Sequence, residues 1–321
     1  MLSLFDYGSP LIICRAREPP PNPSYSPPQP PSNPLRHRKI PIFFGSITLV
    51  FLSGSLTYYY VALTRDPIKL SISSPASQPD VSSRYDTIAP IFDSSVNWTE
   101  KFQGIARLRR KLVSKAHGDV LEVSIGTGRN LEYYDWDFKG FGGVGKVTNK
   151  GVIKKGKIRS FTAVDKSGEM LEIAHEKFST MFPGILGVRW IIGDASHEIP
   201  SPPKNANERS GELEGKKYDT VVQTMGLCSA DDPVALLKNL GKYVKEEEGR
   251  ILLLEHGRGS WDWLNGVLDK FAEGHAKEFG CWWNRDLKQI VEDSGLDVVD
   301  IHSVCWHGGT TWWIELKKSK A

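Results

Sequence analysis

Cysteine is scarce in this 321-residue chain, with Cys14, Cys228, Cys281 and Cys305 making up the whole complement. None forms a CxxC pair or a recognised metal spacing, so a disulfide framework is excluded and no metal site is expected from spacing. Charge of one sign is nearly missing too. The 41 basic and 38 acidic residues leave +3, too little for a chain that lives by holding nucleic acid, and no nucleic-acid partner is expected. Proline is thin over most of the length, because 14 of the 20 fall before residue 80. Residues 40–63 have no charge at all.

What is present is unevenly spread. Residues 1–80 hold Arg15, Arg17, Arg36, Arg38, Lys39, Arg65 and Lys69 against Asp6, Glu18, Asp66 and Asp80. The remaining 34 basic and 34 acidic residues balance over 81–321, so the excess belongs to the first quarter. Nine prolines in 19–34 fix φ and remove backbone donors, which makes 1–39 an extended, disordered targeting segment. The charge-free stretch 40–63 follows Arg36-His37-Arg38-Lys39. As a helix it would be about 36 Å long, enough for a hydrocarbon core of about 30 Å. One transmembrane helix is expected there, with the lipid bilayer as its partner and Tyr58 to Tyr60 near the interface. The basic cluster before it favours an N-terminus on the loop-positive side and a body across the membrane. Residues 64–83 form a Ser/Pro linker. Five Arg/Lys against two acids in 1–39 suit a mitochondrial address, with an endoplasmic-reticulum anchor as the alternative.

The body, 84–321, alternates. Trp98, Phe102, Ile105, Leu108 and Leu112 step by four and three, predicting one helical face. Strands are predicted at 120–123, 161–164, 188–192, 220–223 and 251–254, with helices over 169–182, 234–244, 261–277 and 285–293. Strands joined by crossover helices give a parallel sheet covered on both faces. The pattern ends differently, with 298–304, a turn at His307-Gly308-Gly309, and 311–316 forming an antiparallel hairpin. The fold class is therefore α/β: a Rossmann-like doubly wound sheet closed by a hairpin. Inserts interrupt it at 139–159, with seven Lys/Arg and no acid, and at 201–217. Both read as loops.

A glycine-rich turn follows the first strand at Glu122-Val123-Ser124-Ile125-Gly126-Thr127-Gly128, and a helix is expected after it. Gly126 and Gly128 let backbone approach a ligand closely. The third glycine of a dinucleotide fingerprint is missing, Leu131 standing there, which disfavours a nucleotide-dependent oxidoreductase. Asp165 ends the second strand, where a carboxylate suits two ribose hydroxyls, and Asp194 follows the third. Glu122, Asp165 and Asp194 thus stand at three successive strand ends, the edge where such sheets bind ligands.

These segments resemble the class I S-adenosylmethionine-dependent methyltransferases, and within them the UbiE-like group. Tyr85-Asp86-Thr87-Ile88-Ala89-Pro90, 120–130, 164–171, Gly193-Asp194-Ala195 and 251–256 carry the likeness. Leu254-Glu255-His256-Gly257-Arg258, Gly280-Cys281-Trp282-Trp283-Asn284-Arg285-Asp286 and His307-Gly308-Gly309-Thr310-Thr311-Trp312 are similar to the fungal mitochondrial inner-membrane Oms-type methyltransferases. The likeness covers 84–318. It implies S-adenosyl-L-methionine as cofactor, with Glu122, Gly126 and Gly128 facing its methionine part and Asp165 on the ribose. Lys166 would flank the ribose, Asp194 and Ala195 bound the adenine, Thr224 and Met225 border the sulfonium, and Tyr85 lie over the cofactor. Ser124 departs from the pattern, replacing its first glycine. His256, after the fifth strand, is the candidate catalytic base, and no metal is implied. The acceptor would be a small lipophilic molecule such as a quinone, or a membrane-protein side chain. The implied location is the mitochondrial inner membrane, N-terminus in the matrix and catalytic domain in the intermembrane space. A non-catalytic assembly protein retaining the fold is the alternative.

Overall fold

The structure, a computed structural model, describes residues 39–64, 82–136, 156–183, 185, 187–203 and 215–319. The proline-rich segment, most of the linker and most of both inserts lie outside these residues. The chain divides into two units, 1–61 and 62–321.

The first unit holds nearly all of helix α1 (Lys39–Thr64), which coincides with the charge-free stretch. Its described side chains include exposed Phe44, Leu49, Phe51 and Leu56. Among the described residues, no helix is long and apolar enough to cross a membrane.

In the second unit α2 (Ser82–Gln103) starts inside the stretch expected to be linker and is followed by α3 (Ile105–Val113). The single helix expected across 98–112 is therefore two. Gly104 breaks it by adopting φ 71°, a left-handed conformation that costs glycine little. Ile105 and Leu112 face the core, whereas Trp98 and Phe102 are exposed. The apolar steps of four and three span two helices with different surroundings.

The sheet comprises β1 (Gly118–Val123), β2 (Ile158–Asp165), β3 (Arg189–Ile192), β4 (Thr220–Thr224), β5 (Arg250–His256), β6 (Asp297–Ser303) and β7 (Thr311–Lys317). Their spatial order is β3-β2-β1-β4-β5-β7-β6. The first five pair in parallel, and β7 enters antiparallel between β5 and β6. Order reverses between β1 and β4, the switch point that opens a crevice at the carboxyl ends of the strands.

Alternation along each strand supplies two cores. Val120, Val222, Leu252, Leu254 and Trp313 pack on one face with Leu112 of α3 and with Phe178 of α4 (Gly168–Met181). Leu121, Val221, Leu253 and Ile314 pack on the other with Leu237 of α5 (Pro233–Tyr243) and Ile290 of α7 (Leu287–Ser294). Helix α6 (Asp262–Phe279) precedes α7. Caps fix helix starts: Ser167, Asp232 and Asp286 accept from the amides of Met170, Ala235 and Gln289.

Two local expectations differ from the structure. No α-helix follows the glycine turn; a short 3₁₀ turn, Leu131–Tyr133, stands there, and the Trp136 indole donates to the Leu131 carbonyl at 3.0 Å. The hairpin is longer than a tight turn, because the 3₁₀ turn Cys305–His307 is folded into it. His307 accounts for this by bonding the Thr311 hydroxyl at 2.8 Å and the Gln103 carbonyl at 2.7 Å, which ties the hairpin end to α2.

Candidate functional site

A cavity of about 1010 Å³, measured out to solvent, lies where the strand order reverses. Its walls are 124–127 after β1, 164–167 after β2, 193–196 after β3 and 224–226 after β4, with Tyr85 and Phe92 contributed by α2. Eight predicted residues meet there: Tyr85, Gly126, Asp165, Lys166, Asp194, Ala195, Thr224 and Met225.

Asp165 organises the floor. Its carboxylate accepts from the amide of Gly126 at 2.7 Å and of Ser167 at 2.9 Å, locking the two loops together. Burial raises its pKa, and the two amides counter that rise. Both oxygens retain lone pairs for a diol. Asp194 is paired with Lys166 at 2.9 Å and accepts from the Ser196 amide at 2.8 Å. Burial alone would raise its pKa, but the Lys166 and Ser196 bonds outweigh it and hold the carboxyl below its usual range. Lys166 also reaches Asp231 at 3.3 Å, so its ammonium bridges two sides of the cavity.

Two residues expected at the cofactor stand outside the cavity lining. Glu122 does not line the cavity. It falls on the face of β1 that packs against 131–134, is 1% exposed, and accepts from Asn130 and the Tyr134 hydroxyl, each at 2.8 Å. Burial pushes its pKa up to about 7. Its part is to hold the glycine loop from behind. Gly128 also stays outside the cavity. A Cβ there would come within 2.4 Å of Leu131 and 3.1 Å of Ala174, so this glycine serves packing of the loop onto α4. Gly126 has open space above its Cα, as close approach of a ligand requires.

Backbone strain gathers at the same walls. Ser124 (φ 51°) and Met225 (φ 57°) are the non-glycine residues with positive φ among those described. A left-handed conformation costs about 1–2 kcal/mol in a residue with a Cβ, which accounts for the family glycine at position 124. The serine is accommodated because Gly226 faces it: a Cβ on Gly226 would lie 2.5 Å from the Ser124 Cβ.

Arg109 escaped the sequence reading. It is 4% exposed, lines the cavity and bonds Glu100 at 2.9 Å, Asn130 at 3.3 Å and the Thr224 hydroxyl. Its Nε is a buried donor with no hydrogen-bond partner. The signal was its position, since Ile105, Arg109, Leu112 and Val113 make one buried stripe in which an arginine is out of place. Around it, Arg129 pairs with Asp93 at 2.9 Å and Glu100 at 2.8 Å, and Lys177 with Asp93 at 2.7 Å, fastening α2 beside the glycine loop.

His256 lies outside the cavity lining. It stands at the end of β5 near Cys228 and Cys281, and no local spacing announces this grouping. Burial and the nearby His275 and Arg109 lower its pKa to about 4, so it is a neutral, weak base at neutral pH. His275 bonds the Cys281 carbonyl at 2.7 Å and stacks on Trp283, a packing role.

The residues present fit S-adenosylmethionine. A carboxylate sits at the end of β2, an open-faced glycine lies beside it, and an unpartnered buried guanidinium donor suits an amino-acid carboxylate. The class so defined is a Rossmann-like site for a nucleoside-bearing cofactor, and the comparisons agree. A family model described as a methyltransferase domain matches residues 98–301, and the chain belongs to this family. Methyltransferase OMS1, mitochondrial, of Saccharomyces cerevisiae is 38% identical over 240 residues, 74% of this chain and 46% of the relative. The chain thus spans about half the length of that curated relative. A chain from the complex of the Haloferax volcanii Trm112 methyltransferase activator with a methyltransferase shares the fold, with TM-score 0.51 and 15% identity. That match covers 75% of this chain and 98% of the other. A DhpI–SAH complex matches with TM-score 0.48 and 16% identity, over 78% of this chain and 100% of that one.

Proposed function

We propose that this chain is a mitochondrial, membrane-anchored methyltransferase that uses S-adenosylmethionine on a lipophilic small molecule or a membrane-protein side chain. The observation that carries the catalytic half is the convergence of Asp165, Gly126 and Arg109 on one cavity at the switch point. Asp165 would hold the ribose diol while its amide bonds keep the glycine loop shaped. The free Nε of Arg109 would take the amino-acid carboxylate, and Asp194 with Ala195 would border the base. The bound cofactor supplies a methyl group on a sulfonium, and transfer is an in-line displacement. The protein's own share is alignment and water exclusion, with Tyr85 and Phe92 of α2 closing one side. Tyr85 is fixed by its hydroxyl, 2.6 Å from Ser229.

Support for the anchor is the position of α1 on the charge-free stretch 40–63, which runs beyond its described side chains. The catalytic unit adds exposed aromatics, with Trp263 65% and Trp306 70% exposed and Trp261 stacked on Trp263. Indole rings of this kind favour the membrane–water interface. The mitochondrial location rests on the curated relative's name, and the inner membrane on the Oms-type likeness.

Titration of the full chain in detergent with S-adenosylmethionine tests the catalytic half. Heat of binding that falls at least tenfold in affinity for Asp165→Ala is expected; a folded protein giving no heat would reject the reading. Transfer of a labelled methyl group into mitochondrial membrane extracts then identifies the acceptor.

A further inference from the structure

Cys228, Cys281 and His256 lie far apart in sequence, in the 3₁₀ turn after β4, in the loop after α6 and at the end of β5. In the fold their sulfur and ring-nitrogen atoms all come within 4.8 Å of one another. The backbone that presents them is pinned by bonds unconnected with thiol chemistry. The Trp282 amide donates to the Cys228 carbonyl at 3.1 Å, and Arg285 Nε to the same oxygen at 3.2 Å. Glu255 accepts from the amides of Gly226 and Leu227 at 3.2 and 3.0 Å, fixing the turn that carries Cys228. His275 holds the Cys281 carbonyl. These bonds hold the backbone around the three side chains without using the sulfurs or the His256 ring.

The donor atoms make only weak bonds of their own: beyond its partner sulfur, the Cys228 thiol reaches the Met225 carbonyl at 3.9 Å and the Ser229 hydroxyl at 3.6 Å. The two sulfurs lie 2.8 Å apart, a contact too close for two unbonded thiols to prefer. The ring nitrogens of His256 make no hydrogen bond among the described residues, although every other described histidine ring near the cavity or hairpin is held. Two thiolates and one neutral imidazole form a soft donor set of the kind that suits a d¹⁰ cation.

We propose that Cys228, Cys281 and His256 form a metal site for a soft d¹⁰ cation, Zn²⁺ in the first instance, beside the cofactor cavity. Two thiolates and a divalent ion cancel in charge, which makes the ion a stable occupant of a buried pocket where paired thiolates alone would be costly. Binding breaks two S–H bonds, releases two protons to solvent and forms two Zn–S bonds, with no change in oxidation state. Zinc at about 2.3 Å from each sulfur holds them about 3.8 Å apart, so the pair separates by about 1 Å on loading. Three protein ligands leave the fourth position to water. Ser229, next to Cys228, lines the cavity, so the ion would lie one residue behind its wall.

The test uses the full chain in detergent, reduced and kept free of oxygen, dialysed against Zn²⁺ and counted by plasma mass spectrometry. One equivalent of zinc is expected, lost in Cys228→Ser and Cys281→Ser and retained in Cys305→Ser, whose thiol is exposed. His256→Ala should weaken binding by more than about tenfold. Loading with Co²⁺ should give thiolate-to-cobalt charge-transfer bands and tetrahedral visible bands, a readout that needs no variant to fold. Reduced, folded wild-type protein that takes up neither ion overturns the proposal. So does a Cys228–Cys281 cross-link that forms while zinc uptake fails, which would assign the pair to a disulfide instead.

Discussion

Glu122 shows how a residue's neighbours reset its chemistry. Its ordinary pKa of about 4.5 rises to about 7 because burial penalises the charged form more than Asn130 and Tyr134 favour it. The folded state therefore binds more protons than the unfolded one between those values. Stability from burying the neutral acid is complete below about pH 4.5 and is lost as pH rises through about 7. Glu122→Gln keeps the bond from Asn130 on its remaining oxygen, turns its amide to donate to the Tyr134 oxygen in place of accepting from it, and removes the titration. Denaturant melts at pH 5 and pH 8 should show wild type losing up to about 3 kcal/mol relative to the variant across that interval. Equal losses in both proteins would refute the assignment. Ser124 and Gly226 give a second residue-scale prediction, since only one of the facing positions can carry a Cβ without displacement. Gly226→Ala should destabilise by about 1–3 kcal/mol. Ser124→Gly should restore most of that in the double variant, as a double-mutant cycle of unfolding would reveal.

At the scale of elements, α2 is a cover held by charge. Its Asp93 and Glu100 receive Arg129, Lys177 and Arg109 from the loop, α4 and α3, and Gly104 separates it from α3. Asp93 and Glu100 are both held below the usual carboxylate range: burial opposes ionisation, and these cations outweigh it. Arg129→Ala removes the bonds to Asp93, Asn97 and Glu100 together. Hydrogen exchange should then speed up across 82–103 while β1 and β4 stay protected, and cofactor affinity should fall about tenfold or more. Unchanged exchange in α2 would mean that packing, not charge, seats it. Lowering the pH below about 4 should loosen the same helix, because these acids contribute stability only while ionised.

For the whole molecule, the separation of a charge-free helix from a charge-balanced domain predicts a division of labour. Deleting 1–63 should release the catalytic unit from membranes at high salt or alkaline carbonate while leaving cofactor affinity within about twofold of the full chain; retention of the truncated chain in the pellet would assign membrane binding to the domain itself. The fold was largely legible in the sequence, because alternating apolar runs and crossover helices admit few sheet orders, and a terminal hairpin fixes the antiparallel strand. Asp165, Asp194 and Gly126 were legible as cavity residues for the same reason: chemistry in such sheets gathers at strand ends, and strand ends can be read from pattern; Met225 came only from the family likeness. What period and spacing could not convey was direction and distance. Glu122 ends on the core side of β1 because side chains alternate, Gly128 is needed by Leu131 and Ala174, and Arg109 reaches the cavity from a helix one element away. Cys228, His256 and Cys281 meet only because β4, β5 and the loop after α6 end side by side. The sequence by itself determined the class of fold, its edge of chemistry and the segregation of charge. Tertiary structure alone decided which polar groups are buried, satisfied or left with an open valence, because that depends on long-range packing that no local pattern encodes.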